Sequence, residues 1–337
     1  MIFVLPNDID DPAAPSGGNR YDREVCARLN ADERPAFGAW PTPAAEELAA
    51  LDALLADVAD GAPVVIDGLI ASCAPAVLET HAARLRLVVL VHMPFGDDDP
   101  AARPAEARAL RAARSVIATS DWTGRRLHQL YALPPDRIHV ATPGVDQAPL
   151  APGSGGSGAL LTVAVLGPHK GQDVLVEALA QVADRDWTMT CAGAKDRDPA
   201  FVKAVTERID TLGLGGRIHL VGPKTGPALD ALYAGADLLV HPSRGETYGM
   251  VAAEALARGV PVLGTTAKGL PDAVGNAGTL VPPGDPDALA HALRRWFDEP
   301  ELRYELRTAA RARRDMLTGW DGTARTVEAV FRKVITD

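Results

Sequence analysis

The stretch LLVHPSRGETYGMVAAEALARGVPVLGT, residues 238–265, decides how the rest of the chain is read. Two apolar runs, 238–240 and 260–263, have the length and branched content of buried parallel strands. Between them lie a loop and an Ala-rich segment, so the unit reads as strand, loop, helix, strand. In the loop 243–249, Arg244, Glu246 and Thr247 sit beside Gly245 and Gly249, which lets the backbone approach a ligand before a helix starts near Gly249 or Met250. The free N–H groups and partial positive charge of a helix start suit a phosphate. Glu246 lies on the loop, whereas Glu254 falls about one turn inside the helix, roughly 6 to 8 Å along its axis. Each carboxylate can accept two hydroxyl hydrogen bonds. One on either side of a diphosphate is the geometry wanted by a sugar-diphosphate-nucleoside.

The E-x7-E pair within HPSRGETYGMVAAEALARGVPV closely resembles the signature of retaining glycosyltransferases of the GT4 type, or glycosyltransferase group 1. That resemblance implies an α/β chain of GT-B architecture, with two Rossmann-like doubly wound domains facing a central cleft. It implies that Glu246 holds donor sugar hydroxyls and Glu254 the ribose, with Thr247, Tyr248, Gly249, Met250 and Val251 completing the donor contacts.

Composition narrows the classes. A chain of 337 residues, 47% hydrophobic, can bury two sizeable cores. The formal charge of −10 argues against a nucleic-acid partner. The first 150 residues hold 21 Asp and Glu against 13 Arg and no Lys, which disfavours a basic membrane-docking face there. Cys26, Cys73 and Cys191 are widely spaced with no CxxC, so neither a disulfide framework nor a zinc site is expected, and a cytoplasmic location fits. The start MIFVLPNDIDD has no basic segment and reads as a first strand. No run approaches the ~18 to 20 apolar residues of a transmembrane segment.

From the N-terminus, strand 2–5 leads through an Asn-, Asp- and Pro-rich loop to Ser16-Gly17-Gly18-Asn19 and a helical pattern over 20–30. A Gly pair at a strand-to-helix turn lets N–H groups meet an anion. Its place after the first strand resembles the GT4 loop that closes over donor phosphate and acceptor, so Gly17 and Gly18 are expected at the donor and Asn19 at the acceptor. Helices are predicted over 44–59 and 73–83, and strands over 63–66 and 85–91. The last of these ends in His92-Met93-Pro94-Phe95. A His at the carboxyl end of a parallel strand stands where open α/β sheets bind ligands, and the family carries a His here facing the donor sugar. His92 and Met93 are therefore expected at the acceptor side, with Met93 replacing the Asp common in the family. A helix over about 101–113, with Arg103, Arg108, Arg111 and the adjoining Arg114, reads as a solvated face. Strand 116–120, helix 122–131 and strand 137–141 complete the first domain, 1–150, and the Gly- and Ser-rich run 151–158 reads as a flexible linker that would permit hinge closure.

In the second domain, 159–319, strand 160–166 runs into Gly167-Pro168-His169-Lys170-Gly171 and a helix over 174–182. Lys170 resembles the family's phosphate-binding lysine. The Arg that the family places five residues earlier is Val165 here, so the diphosphate is expected to rely on Lys170 and the helix end, with Arg244 or His169 as further candidates. Strands 187–192 and 218–221, helices 198–212 and 229–234, and two helices within 286–314 follow; a last helix from about 320 to 337 is expected to pack back on the first domain, as in the family.

The resemblance thus implies transfer of a sugar, with retention, from a nucleotide-diphosphate sugar to a small-molecule, saccharide or lipid acceptor. His92, Glu246 and Lys170 form the catalytic set, and no metal or other cofactor is required: Asp8-x-Asp10 and 97–99 read as turns and caps rather than metal sites. A phosphorylase or epimerase on the same fold, or a catalytically silent sugar-nucleotide-binding partner of a transferase, are the alternatives. A Rossmann dehydrogenase is disfavoured, because no G-x-G-x-x-G follows the first strand.

Overall fold

A computed structural model of the chain describes residues 1–10 and 16–336; residues 11–15 of the predicted Asn-, Asp- and Pro-rich loop lie outside this range. The chain divides into two units, one formed by residues 1–144 with 318–337, the other by residues 145–317.

The first unit is a six-stranded sheet of β1 (Ile2–Pro6), β2 (Asp32–Ala36), β3 (Pro63–Asp67), β4 (Arg86–Val91), β5 (Ser115–Ala118) and β6 (Ile138–Val140). Every pairing is parallel and the order is β2-β1-β3-β4-β5-β6. Strands of a parallel sheet are covered on both faces, which is why RLVVLV of β4 is apolar throughout rather than alternating. Its neighbour β2, DERPA, was not expected as a strand. It is an edge strand, largely exposed, and its charges and Pro35 are tolerated there because one side needs no ladder partner.

The last helix, Trp320–Thr336, belongs to this unit. Phe331 stacks on Phe3 at 6.1 Å, and Arg86 Nη1 donates to the Val334 carbonyl at 2.7 Å. Gly144 lies so close to Trp320 that a Cβ would stand 2.4 Å from its backbone, so the chain can pass there only without a side chain.

The second unit holds β7 (Ala159–Val163), β8 (Thr188–Ala192), β9 (Ile218–Gly222), β10 (Leu238–His241), β11 (Val262–Thr265) and β12 (Gly278–Val281), again all parallel, in the order β12-β11-β10-β7-β8-β9. This is the Rossmann order, with the direction of winding reversing between β7 and β10. In the first unit the reversal falls between β1 and β3. In open parallel sheets the loops at the carboxyl ends of the strands on either side of such a reversal are where ligands bind.

The segment 151–158 is not a free linker, and the division between units falls at Gly144/Val145, some residues before it. Asp237, with a fully buried side chain, accepts from Ser154 N (3.1 Å), Ser154 Oγ (2.5 Å) and Ala159 N (2.9 Å). Gly153 N donates to Ala234 O, and Arg307 Nη2 to Gly156 O. A buried carboxylate needs donors, and a Gly-Ser run supplies backbone N–H groups unobstructed by side chains. Cys26, Cys73 and Cys191 are unpaired thiols. Among the described residues, no helix is long and apolar enough to cross a membrane.

Candidate functional site

In the second unit the loop 243–249 and the turn 167–171 are stitched together at the reversal point. Arg244 N donates to His169 O (2.8 Å), Ser243 Oγ to His169 O (3.0 Å), and Thr265 Oγ1 to Ser243 O (2.6 Å). Gly171, at φ +72°, has Pro242 O where its Cβ would be, at 2.1 Å. No other residue fits there without moving one of the two loops.

Across this seam Lys170 Nζ donates to Glu246 Oε2 at 2.9 Å, and His241 Nε2 lies 3.1 Å from the same oxygen. Burial alone would raise the Glu246 pKa; the Lys170 ammonium and the His241 hydrogen bond outweigh it and hold the carboxyl well below the usual range. His241 is itself buried, and its Nδ1 has no hydrogen-bond partner. The Glu246 carbonyl accepts from Gly269 N at 2.8 Å.

Gly249 takes φ +101° and opens the helix Met250–Ala257, leaving the first N–H groups of that helix without an intrahelical acceptor. Met250 and Val251 flank this end and are half-buried. Glu254 follows one turn on, buried, with Tyr233 Oη donating to its Oε2 at 2.8 Å and the Arg258 guanidinium 4.7 Å above the Tyr233 ring. Thr247 is half-buried on the loop, whereas the Tyr248 ring turns into an apolar cluster with Val145, Ala253 and Ala273. Tyr248 thus contributes backbone here, and its phenol is packed away.

Arg244 is engaged within the protein. Its guanidinium grips the Asp173 carboxylate with two prongs, 2.8 and 2.7 Å, and donates to Pro168 O at 2.5 Å. Where the family's Arg is replaced by Val165, the backbone is laced instead by Gln172, a buried side chain that donates to Val165 O and accepts from Gly167 N.

The first unit carries a separate cluster. Ser16 caps the helix Gly17–Leu29, its Oγ accepting from Asn19 N at 3.0 Å, so Gly17, Gly18 and Asn19 form the first turn rather than the loop before it. Gly18 lies against the His92 ring, 3.3 Å from where its Cβ would stand. His92 follows β4, with Nε2 2.9 Å from Asp22 and 3.5 Å from Asp67, the last residue of β3. Met93 is largely exposed. The next residues are fixed by Glu106, fully buried, which accepts from Phe95 N (3.0 Å), Gly96 N (2.8 Å), Ser72 Oγ (3.2 Å) and Tyr131 Oη.

Sequence reasoning passed over Asp22, Asp67, Glu106 and His241. Asp22 does leave a signal: it interrupts the buried stripe of Tyr21, Val25 and Cys26 on an amphipathic helix. Asp67 ends an apolar strand just where parallel sheets gather ligands.

Residues 154–313 match the sequence profile of glycosyl transferases group 1, and residues 13–148 that of glycosyltransferase family 4. A D-inositol 3-phosphate glycosyltransferase of Jonesia denitrificans is 33% identical over 250 residues, covering 68% of this chain and 59% of that protein. That of Kineococcus radiotolerans is 30% identical over 269 residues, covering 71% and 62%. The match therefore spans about three fifths of these relatives' length. Among solved structures, Anabaena HepE in complex with UDP-glucose superposes with a TM-score of 0.81 at 18% identity, covering 98% of this chain and 99% of that one. A glycosyltransferase from Rickettsia africae gives 0.78 at 19%, covering 100% and 98%. These two share the fold, which is GT-B.

Proposed function

The chain belongs to the group 1, family 4 glycosyltransferases of GT-B fold, and from that premise we propose that it transfers a sugar, with retention, from a nucleotide-diphosphate sugar to a hydroxyl acceptor. One observation carries the reading: Lys170, Glu246 and the start of the helix Met250–Ala257 meet at the reversal point of a Rossmann sheet, with Glu254 one turn further on. A diphosphate at the helix start would draw the Lys170 ammonium away from Glu246, leaving Glu246 held by His241 and able to accept from sugar hydroxyls. Glu254, oriented by Tyr233, accepts from the ribose. As the nucleoside diphosphate departs, negative charge grows on its phosphates; Lys170 and the helix N–H groups stabilise it without a metal.

Donor and acceptor follow the relatives as starting points. Because HepE holds UDP-glucose, UDP sugars head the donor panel, followed by GDP and ADP sugars. Because the sequence relatives are named for inositol 3-phosphate, it heads the acceptor panel, with free inositol, simple saccharides and lipid-linked acceptors after it. The test is thermal unfolding against the donor panel, repeated with Lys170→Ala and Glu254→Ala, since a ligand of the folded state raises the melting temperature. A shift with one nucleotide family, lost in both variants, is expected. No shift with any donor would defeat the reading.

A further inference from the structure

His92 is surrounded on the protein side by carboxylates. The helix Gly17–Leu29 presents Asp22, 2.9 Å from Nε2, and β3 presents Asp67 at 3.5 Å; one atom from each of the three lies within 4.8 Å of the others. Both carboxylates are buried, Asp22 to 1% and Asp67 to 5% exposure, whereas the imidazole keeps 23% of its side chain exposed. Among the described residues, the Tyr21 ring meets the imidazole edge-on at 5.2 Å, and Gly18 closes on its Cδ2 side. Both carboxylates therefore gather at a single nitrogen, Nε2. Nδ1 is the nitrogen left for a ligand.

We propose that Asp22 and Asp67 are positioning residues that clamp His92 through Nε2 as an imidazolium, so that its Nδ1–H is a fixed, charged donor to a ligand oxygen and the ring does not serve as a general base. The proposal rests on the transferase reading for the class of that oxygen, a sugar hydroxyl or a phosphate oxygen. Electrostatics agree with the geometry. Burial pulls the His92 pKa down, but the charge and hydrogen bond of Asp22, joined by the charge of Asp67, lift it to about 9. Burial and the neighbouring Asp22 push the Asp67 pKa up, and the positive charge of the His92 ring opposes that rise. A neutral histidine would instead turn a lone pair at Nδ1 towards the ligand. It would repel a phosphate oxygen where the imidazolium attracts one.

The test uses the full chain labelled with 15N-histidine, the His92 signals being assigned by their loss in His92→Gln. Long-range 1H–15N spectra at pH 7.5 are expected to show both ring nitrogens protonated, with a midpoint near pH 9 on titration. In Asp22→Asn, which keeps an acceptor oxygen and removes the charge, the midpoint is expected to fall by about 1 to 3 pH units, and in Asp67→Asn by less. The alkaline limb of the transfer rate should move with it. A neutral His92 in the unaltered protein at pH 7.5 overturns the proposal even if the variants do not fold. So does an unmoved midpoint in a folded Asp22→Asn, or broadening of the His92 signals by Mn²⁺, which would assign the three groups to a cation. Absence of transfer with every donor would count against the transferase reading alone, since the histidine spectrum is independent of it.

Discussion

Lys170 Nζ and Glu246 Oε2 lie 2.9 Å apart, joining the turn after β7 to the loop after β10 across the line where the second sheet reverses its winding. The cation proposed for the diphosphate and the carboxylate proposed for the sugar are thus each other's partners, 76 residues apart in sequence. The pair keeps both loops in register, and a diphosphate would have to divide it.

The acid limb of stability follows from Glu246. Its folded pKa is lowered, so the stabilisation it provides is present above the unfolded value of about 4.3 and is lost as pH falls below that towards the folded value. Glu246→Gln should therefore flatten the fall in unfolding free energy below about pH 4 compared with the parent. Urea midpoints at pH 7 and pH 3.5 measure it. An equal acid slope in both proteins would contradict the pairing.

Gly171→Ala should be costly out of proportion to one methyl group. The residue combines φ +72° with Pro242 O at 2.1 Å from the added Cβ, so the turn and the loop must separate. Strain of this kind costs about 1 to 3 kcal/mol, read as a lowered urea midpoint. Donor affinity should fall with it, because Lys170 is the preceding residue.

Arg244→Ala should leave donor binding nearly intact. The guanidinium is committed to Asp173, and since the two side chains are 37% and 44% exposed the pair contributes about 1 kcal/mol or less. A donor KM within about threefold of the parent is expected, against at least a hundredfold loss of kcat/KM in Lys170→Ala, the scale seen when a transition-state charge partner is removed. Equal losses in the two variants would restore Arg244 as a phosphate ligand.

Tyr233→Phe isolates the support given to Glu254. The phenol donates to Oε2 at 2.8 Å from a fully buried position. Its loss should cost about 1 to 2 kcal/mol of donor binding and raise the donor KM roughly five- to thirtyfold, with kcat little changed, because the ribose is held alike in ground and transition states. A fall in kcat at constant KM would place Glu254 nearer the chemistry than the ribose role allows.

The local sequence by itself determined the alternation of strands and helices, because strands buried on both faces must be continuously apolar, as LVVL of β4 and LLV of β10 are. It also determined the spacing of Glu246 and Glu254, which depends only on a loop and one helical turn. What escaped it were features whose meaning is set by distant partners. The polar edge strand β2 is defined by its register on β1, and the Gly-Ser run 151–158 reads as flexible until a buried Asp237, some eighty residues later, binds Ser154 and the N–H of Ala159 just beyond the run. Arg244 looks like a free cation in sequence; Asp173 occupies it in the fold. The same holds for Asp22 and Asp67, two unremarkable aspartates until the winding of the first sheet brings the ends of β3 and β4 beside one helix and turns both carboxylates on the nitrogen of His92. Burial raises the strength of such charges by removing water, and only the tertiary structure decides which charges are buried together.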